Sequence, residues 1–426
     1  MLKEAGFEAW QQLQEEGLLK ADYKNGGRPR MIAILPYFLP RSGGVEHHTY
    51  QLARALEQRG FSITVLTQRL PGTPEHELLG ETNVYRFGTT AEDRGRREAY
   101  KQILQRILHE PAAGTVLYLC LSVGKEFHTE LMLEILAVAR QRRIPRIVRI
   151  PSSGRVTELA MANPARLLEV RHANRVIALN AGIRDELVRM GCDPVRIINI
   201  PNGVLTELFQ PAVDNARVQI RARLGACAAD RVFIAPSRWA PKKRIPELIG
   251  CWQELERSVE APIKLWVVGD DRYEVKRGVV SKAVMAALAD ASVDGVRLFG
   301  GRPHHEMVPF YQGADAYISL STQEGQSNAL LEAMACGLPI VAPETQAVTQ
   351  IITAEENGFL FKPGDPCSAL AAMRRCMEAP LAELKTIGQR NRALITKCYT
   401  VDLMADRFMR LLHEMLQKGD LDAYCH

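Results

Sequence analysis

The chain has 426 residues, 46% of them hydrophobic and 24% charged, with 31 glycines and 23 prolines. This length exceeds one ordinary hydrophobic core and predicts roughly two or three domains, while the composition excludes collagen-like, disordered and disulfide-scaffold classes. The net charge of +5 lies wholly in residues 1–210, which hold 28 Lys and Arg against 23 Asp and Glu.

In chain order, residues 1–26 read as a helical extension, acidic and amphipathic, without the apolar core or small-residue cleavage site of a secretory signal. No later stretch approaches the ~20 apolar residues of a membrane-spanning helix. A cytoplasmic protein is expected. Short β-rich apolar runs follow at 31–35, 62–67, 83–87, 115–121, 146–150, 175–180 and 196–200. The pattern breaks at Pro201-Asn202-Gly203 to Pro211 and restarts at 232–236, 263–269, 296–299, 316–321 and 339–343. These runs are nearly continuous in Val, Ile and Leu, as in parallel strands buried on both faces, with helical segments between them as crossovers. The expected fold class is therefore α/β, with two doubly wound Rossmann-like domains at 27–210 and 211–390 and a ligand in the cleft between them. Residues 391–426 turn helical and are expected to pack back on the first domain, with Met404, Phe408, Leu411, Leu412 and Met415 at helical spacing.

Nine widely spread cysteines without a C-x-x-C predict reduced thiols, and the absence of metal-ligand spacing predicts no bound metal or other cofactor. The basic first half suits an anionic partner, such as an acidic membrane surface or a phosphorylated substrate, although a solvated Arg-rich surface is the simpler reading. The densest cluster, Arg140, Arg142, Arg143, Arg146 and Arg149, has no interleaved aromatics, so nucleic acid is not expected.

Three segments at strand-to-helix turns could carry chemistry. After run 31–35, Gly43 and Gly44 open a helix whose N–H groups suit a phosphate, with an empty tight turn as the competing reading. This is not a G-x-G-x-x-G sequence, which disfavours hydride chemistry on a dinucleotide. After run 232–236, Arg238, Lys242, Lys243 and Arg244 gather cations that would repel one another without an anion, and a diphosphate suits them, with an exposed basic loop as the competing reading. After run 316–321, Glu324 precedes a helix carrying Glu332 about two turns on, so two acceptor-only carboxylates can face one crevice, the competing reading being a helix N-terminal charge at Glu324 and a surface residue at Glu332. The helix start near Ser327–Ala329 can hold a phosphate between them.

The string Glu324-Gly325-Gln326-Ser327-Asn328-Ala329-Leu330-Leu331-Glu332-Ala333-Met334-Ala335-Cys336-Gly337-Leu338-Pro339 resembles the Glu, seven residues, Glu motif of the retaining glycosyltransferases of family 4, which have the GT-B fold. The likeness extends from Gly43-Gly44 through Pro201-Asn202-Gly203-Val204, Arg238 to Lys243, Val268-Gly269-Asp270 and Leu298-Phe299-Gly300 to Asn357-Gly358. It implies transfer of a sugar from a nucleotide-diphosphate donor, a UDP-sugar, to an acceptor hydroxyl with retention of configuration and without a metal. The acceptor would be a carbohydrate, a lipid-linked glycan or a small molecule, in glycan, glycolipid or polysaccharide biosynthesis. Arg238 and Lys243 would bind the diphosphate, with Gly43 and Gly44 contributing from the first domain. Glu324 would meet the sugar hydroxyls, Glu332 the ribose, and Gly325, Gln326, Ser327, Asn328 and Ala329 the phosphates. Where family members carry a histidine after the fifth strand, this chain reads Arg149-Ile150-Pro151-Ser152-Ser153-Gly154. The candidates for contact with sugar or acceptor are therefore Ser152, Ser153, Glu46 and His47, and His128 is expected within a helix as a bystander. Arg244 stands where a glycine is usual, and Glu344-Thr345-Gln346-Ala347-Val348 lacks the family's Gly-Gly. An epimerase or hydrolase of the same fold, and a non-catalytic nucleotide-sugar-binding partner subunit, are the competing readings.

Overall fold

The computed structural model describes residues 28–417 except 42, 89–91, 110–112, 122–125, 155, 159–166, 272–277 and 290–294. The expected extension over 1–26 lies outside the described residues. The chain forms two compact units, one reaching to Pro201 and resuming at Val401, the other Asn202–Thr400.

The first unit is built on an eight-stranded sheet of β1 (Arg30–Ile34), β2 (Ser62–Gln68), β3 (His76–Leu79), β4 (Thr82–Phe87), β5 (Thr115–Cys120), β6 (Arg146–Ile150), β7 (Arg175–Ala178) and β8 (Ile197–Ile198). Their order is β3-β4-β2-β1-β5-β6-β7-β8. Every pair is parallel except β3 with β4. The strand β3 escaped the sequence reading because HELL is a short, half-exposed edge strand with no apolar run.

The helix Val401–Gln417 completes this unit by lying on the helix Gly44–Glu57 and on β5. Its Met404, Phe408, Leu411, Leu412 and Met415 are buried at the expected spacing. The Phe408 ring meets Tyr118 edge-on at 5.8 Å, and Phe61 packs against His413 at 5.2 Å. Arg59 pairs with Asp402 at 3.1 Å and Asp406 at 2.8 Å, and Arg175 with Glu414 at 2.9 Å.

The second unit carries a six-stranded sheet of β9 (Arg231–Pro236), β10 (Ile263–Val268), β11 (Val296–Leu298), β12 (Ala316–Ile318), β13 (Ile340–Pro343) and β14 (Gly358–Phe361). Its order is β11-β10-β9-β12-β13-β14, all parallel. Along β9, Phe233 and Ala235 enter one core while Val232 and Ile234 enter the core on the opposite face. Burial on both faces is why the strand reads as an unbroken apolar run. The strand β14 was not read because it is short and begins within the turn-like pair Asn357-Gly358.

Two expected boundaries shift. The first moves from 210 to 201, because Val204 and Phe209 bury their side chains in the core of the second unit. The second moves from 391 to 401, because the helix Leu381–Cys398 is held in the second unit. There Arg392 donates to the carbonyls of Phe209, Ala335 and Thr206, and buried Asn391 donates to those of Leu338 and Asn357. Only the last helix crosses back.

Phe408 is fully buried, so Phe408→Ala is expected to destabilise the first unit by about 3–5 kcal/mol. Urea unfolding followed by circular dichroism should show an early transition for this variant, separated from that of the second unit.

Candidate functional site

The loops after β9 and β10 are knitted by backbone bonds, from Ser237 N to Val268 O and from Trp239 N to Asp270 O, both 2.9 Å. Gly269 sits between them at φ 144°, and a Cβ there would lie 1.8 Å from the Ser237 carbonyl oxygen. No other residue allows that approach. The exposed side chain of Arg238 leaves this loop, and a 3-10 turn over Pro241–Lys243 follows. Arg244, where a glycine is usual, adopts the left-handed conformation at φ 54° and ψ 41°.

Lys243 Nζ donates to Glu324 Oε1, and Ser321 Oγ donates to the same oxygen at 2.7 Å. The two charged side chains are 18% and 16% exposed. The loops themselves are joined by Thr322 N to Lys242 O at 3.2 Å. Burial pushes the Glu324 carboxyl up, but Lys243, Lys242 and the hydrogen bonds from Lys243 and Ser321 together hold it below the ordinary value. A carboxylate and a cation from segments 81 residues apart therefore meet at one point.

The chain then passes through buried Gly325 and Gln326 to Ser327, which caps the helix Asn328–Ala335 by accepting from Leu330 N at 3.3 Å. Ala329 is half-buried in the first turn. Asn202 braces this segment from the start of the unit. Its backbone N–H donates to Gln326 Oε1 at 2.5 Å, and its Nδ2 donates to Asn328 Oδ1 at 2.6 Å. Asn202 reads in sequence as a turn residue in a stretch that shares the family likeness, but its partners lie more than a hundred residues on, so its bracing role has no local signal.

Glu332, one oxygen of which is near His304 and the other near Tyr311, is buried rather than at the surface. Its Oε1 lies 2.7 Å from His304 Nε2, and its Oε2 accepts from the Tyr311 hydroxyl at 2.8 Å. Burial works to lower the His304 pKa, but the bond and charge of Glu332 outweigh it and leave the imidazole raised. Burial and the same carboxylate push the Tyr311 phenol far up. Buried Tyr317 on β12 feels both glutamates. Burial pushes its phenol up to about 12, with Ser327 and Ser319 opposing and Glu324 and Glu332 adding. In sequence His304 is simply one of two adjacent histidines, His304-His305, and Tyr311 lies in an apolar stretch, so neither is marked as a site residue.

In the first unit, Gly43 is extended at φ −166° and caps the helix that begins at Gly44, which is exposed. The Glu46 carboxylate folds back over the turn, so that a Cβ on Gly43 would lie 2.4 Å from Glu46 Oε2. Arg41 stands 4.0 Å from that carboxylate and over the Tyr37 ring at 3.6 Å. His47 is half-buried. After β6, the Ser152 hydroxyl is buried with no hydrogen-bond partner among the described residues. Asn180 Nδ2 lies 3.4 Å from Ser153 Oγ, and Gly154 N donates to Glu186 at 2.7 Å. His128 falls within the helix Glu126–Gln141.

The arginine cluster is not one surface patch. Arg146 and Arg149 are 1% and 2% exposed, and Arg140 is clamped on Glu169 at 2.7 and 3.2 Å. Ala347 and Val348 are buried in the short helix Gln346–Thr349. No group of three His, Cys, Asp or Glu side chains that could ligate a metal occurs among the described residues. None of the eight described cysteines is in a disulfide. No described helix is long and apolar enough to cross a membrane.

Known proteins share this build. Sucrose-phosphate synthase from Thermosynechococcus elongatus superposes with a TM-score of 0.76 at 20% identity, over 92% of this chain and 100% of that one. Anabaena HepE in complex with UDP-glucose superposes with a TM-score of 0.72 at 16% identity, over 91% and 100%. The two parallel-sheet units are those of the GT-B fold. Residues 42–208 match the family model "Glycosyltransferase Family 4", and residues 230–379 match "Glycosyl transferases group 1". Together these stretches take in most of the chain, which belongs to the family 4 glycosyltransferases. Phosphatidyl-myo-inositol mannosyltransferase of Propionibacterium freudenreichii subsp. shermanii is 25% identical over 82% of this chain and 87% of its own. D-inositol 3-phosphate glycosyltransferase of Acidothermus cellulolyticus is 27% identical over 84% and 85%.

Two outcomes follow from this geometry. A left-handed conformation costs a residue with a Cβ about 1–2 kcal/mol, so Arg244→Gly should raise the melting temperature slightly despite losing the bond from Arg244 to Glu247, while Arg244→Val should lower it. Because Glu324 is held below its ordinary value, its pairing stabilises fully above the unfolded value of about 4.3 and fades as pH falls through the folded one. The gap in melting temperature between wild type and Glu324→Gln, measured at neutral pH, should therefore close under acid conditions.

Proposed function

We propose that the chain transfers a glycosyl group from a nucleotide-diphosphate sugar, a UDP-sugar, to an acceptor hydroxyl with retention of configuration. The observation that carries this reading is the meeting of Lys243 and Glu324 directly before a helix N-terminus. That arrangement offers a cation and polarised N–H groups to a leaving diphosphate and an ionised acceptor to sugar hydroxyls. Charge develops on the diphosphate as the anomeric bond breaks, and groups already aimed at it lower the barrier. Lys243 and Arg238 supply this neutralisation from the protein, so no metal is required. Glu332 takes the ribose hydroxyls, and the backbone over Gly325–Ala329 lies along the phosphates. The acceptor hydroxyl attacks from the face the diphosphate leaves, and a departing phosphate oxygen takes its proton.

For the acceptor we favour a polyol or sugar bearing a phosphate, free or on a lipid, which the names of the inositol-glycosylating relatives support. The buried Ser152 hydroxyl, with Ser153 beside it, is the contact we assign to the sugar or acceptor in the first unit, with Glu46 and His47 at the neighbouring turn. A lipid-borne acceptor would bring the basic first unit to the cytoplasmic face of a membrane.

The test is transfer from UDP-glucose and GDP-mannose to D-inositol 3-phosphate and to phosphatidylinositol vesicles, with the anomeric linkage of the product read by NMR. Arg238→Ala, Lys243→Ala and Glu324→Ala are expected to fold and to lose transfer by at least about 100-fold. Near-normal turnover in all three would overturn the reading. Tight UDP binding without turnover on any acceptor would point instead to a binding subunit.

A further inference from the structure

The Glu332 carboxylate is held in a way that its place in the sequence does not announce. An ionised carboxylate offers about four acceptor positions. The Tyr311 hydroxyl occupies one on Oε2, and His304 occupies one on Oε1. No other described side chain donates to it, and the side chain is 9% exposed. Each oxygen therefore keeps one acceptor position, on a carboxylate held by donors from separate elements. The acceptor-only carboxylate requires the imidazole to carry a proton on Nε2.

A carboxylate held only for structure would be an expensive choice, since burying its charge with half its acceptor capacity unused costs more than an apolar side chain of similar size. The Phe209 ring packs against both donors, 5.1 Å from the His304 ring and 5.8 Å from that of Tyr311, which locks them in place. Two adjacent acceptors at fixed spacing match a vicinal diol, and a nucleotide carries one such diol, the 2′ and 3′ hydroxyls of its ribose.

We infer that Tyr311 and His304 are positioning residues that set the preference of this site for ribonucleotides over deoxyribonucleotides, by fixing Glu332 so that both of its remaining acceptor positions are presented to the ribose. This rests on the reading of Glu332 given under the proposed function. Removing one fixed donor leaves the carboxylate free to rotate, and the bond to the 2′ hydroxyl weakens while contacts to base and phosphate stay.

The experiment is calorimetric titration of the full-length chain with UDP and GDP and with their 2′-deoxy counterparts. Wild type is expected to bind the better ribonucleotide at least about tenfold more tightly than its deoxy form, the worth of a hydrogen bond to a charged acceptor. Tyr311→Phe, which removes only the hydroxyl, should weaken the ribonucleotide about tenfold, leave the deoxynucleotide nearly unchanged and bring the ratio close to one. His304→Ala should do the same, and His304→Gln, which keeps a donor, should restore most of the ratio. His304 is partly exposed, so its variants serve if Tyr311→Phe does not fold. A merely structural role would weaken both nucleotides equally, and that result would overturn the inference. The Glu332→Gln variant separates the layers. If it abolishes the ratio while the Tyr311 and His304 variants keep it, the positioning inference fails alone. If it keeps the ratio, or wild type shows none, the ribose reading fails and the inference falls with it.

Discussion

Parallel pairing is the constraint from which the rest of this structure follows. A parallel strand cannot return by a hairpin, so each must be followed by a crossover, and the carboxyl ends of all parallel strands in a sheet come out along one edge. In the second unit β9 and β12 are neighbours although the chain visits β10 and β11 between them. The loops that leave them are therefore neighbours too. That is how Lys243 reaches Glu324 and how the backbone of Lys242 reaches Thr322. In the first unit the same rule puts the Gly43-Gly44 turn after β1 and Ser152 after β6, both at carboxyl ends.

The elements themselves were largely legible. All twelve apolar runs became strands. Of these, β1, β2, β5, β6, β7, β9, β10, β12 and β13 are largely buried on both faces, which writes itself into sequence as an unbroken hydrophobic stretch, whereas β4 alternates and β11 is half-exposed. The two strands that were missed, β3 and β14, are short edge strands of four residues, where pairing on one side suffices and apolar composition is weak or hidden behind a turn. Of the site, the residues carrying charge were legible as types at strand ends, but their partnerships were not. Glu324 and Glu332 belong to one motif, yet one is neutralised by Lys243 and the other is braced by Tyr311 and His304. The strand order decides which neighbour each carboxylate finds, and a single sequence does not state that order.

The basic first half shows the converse, a signal that sequence over-reads. Counting arginines treats each as a surface charge. Arg146 and Arg149 instead lie on a strand buried on both sides, where Arg146 spends its guanidinium on the carbonyls of His172 and Leu136. Those hydrogen bonds offset part of the cost of burying that cation. Arg86 is buried too, paired with the Glu77 carboxylate and donating to the Leu39 carbonyl. The charge that remains available to a ligand is thus smaller than the count suggests.

The path of the chain has a consequence for how the protein is made. The first unit is discontinuous, since its sheet ends before Pro201 while the helix bearing Phe408 begins only at Val401. The second unit is inserted whole between them, and its entering and leaving segments are fastened together where Val204 N donates to Tyr399 O at 2.8 Å. During translation the first sheet must therefore wait, with Tyr118 and the inner face of the Gly44–Glu57 helix lacking their cover, while about 200 further residues emerge at roughly 5–20 per second. For some tens of seconds the nascent chain carries an open apolar face, which is closed only after the helix bearing Phe408 has emerged.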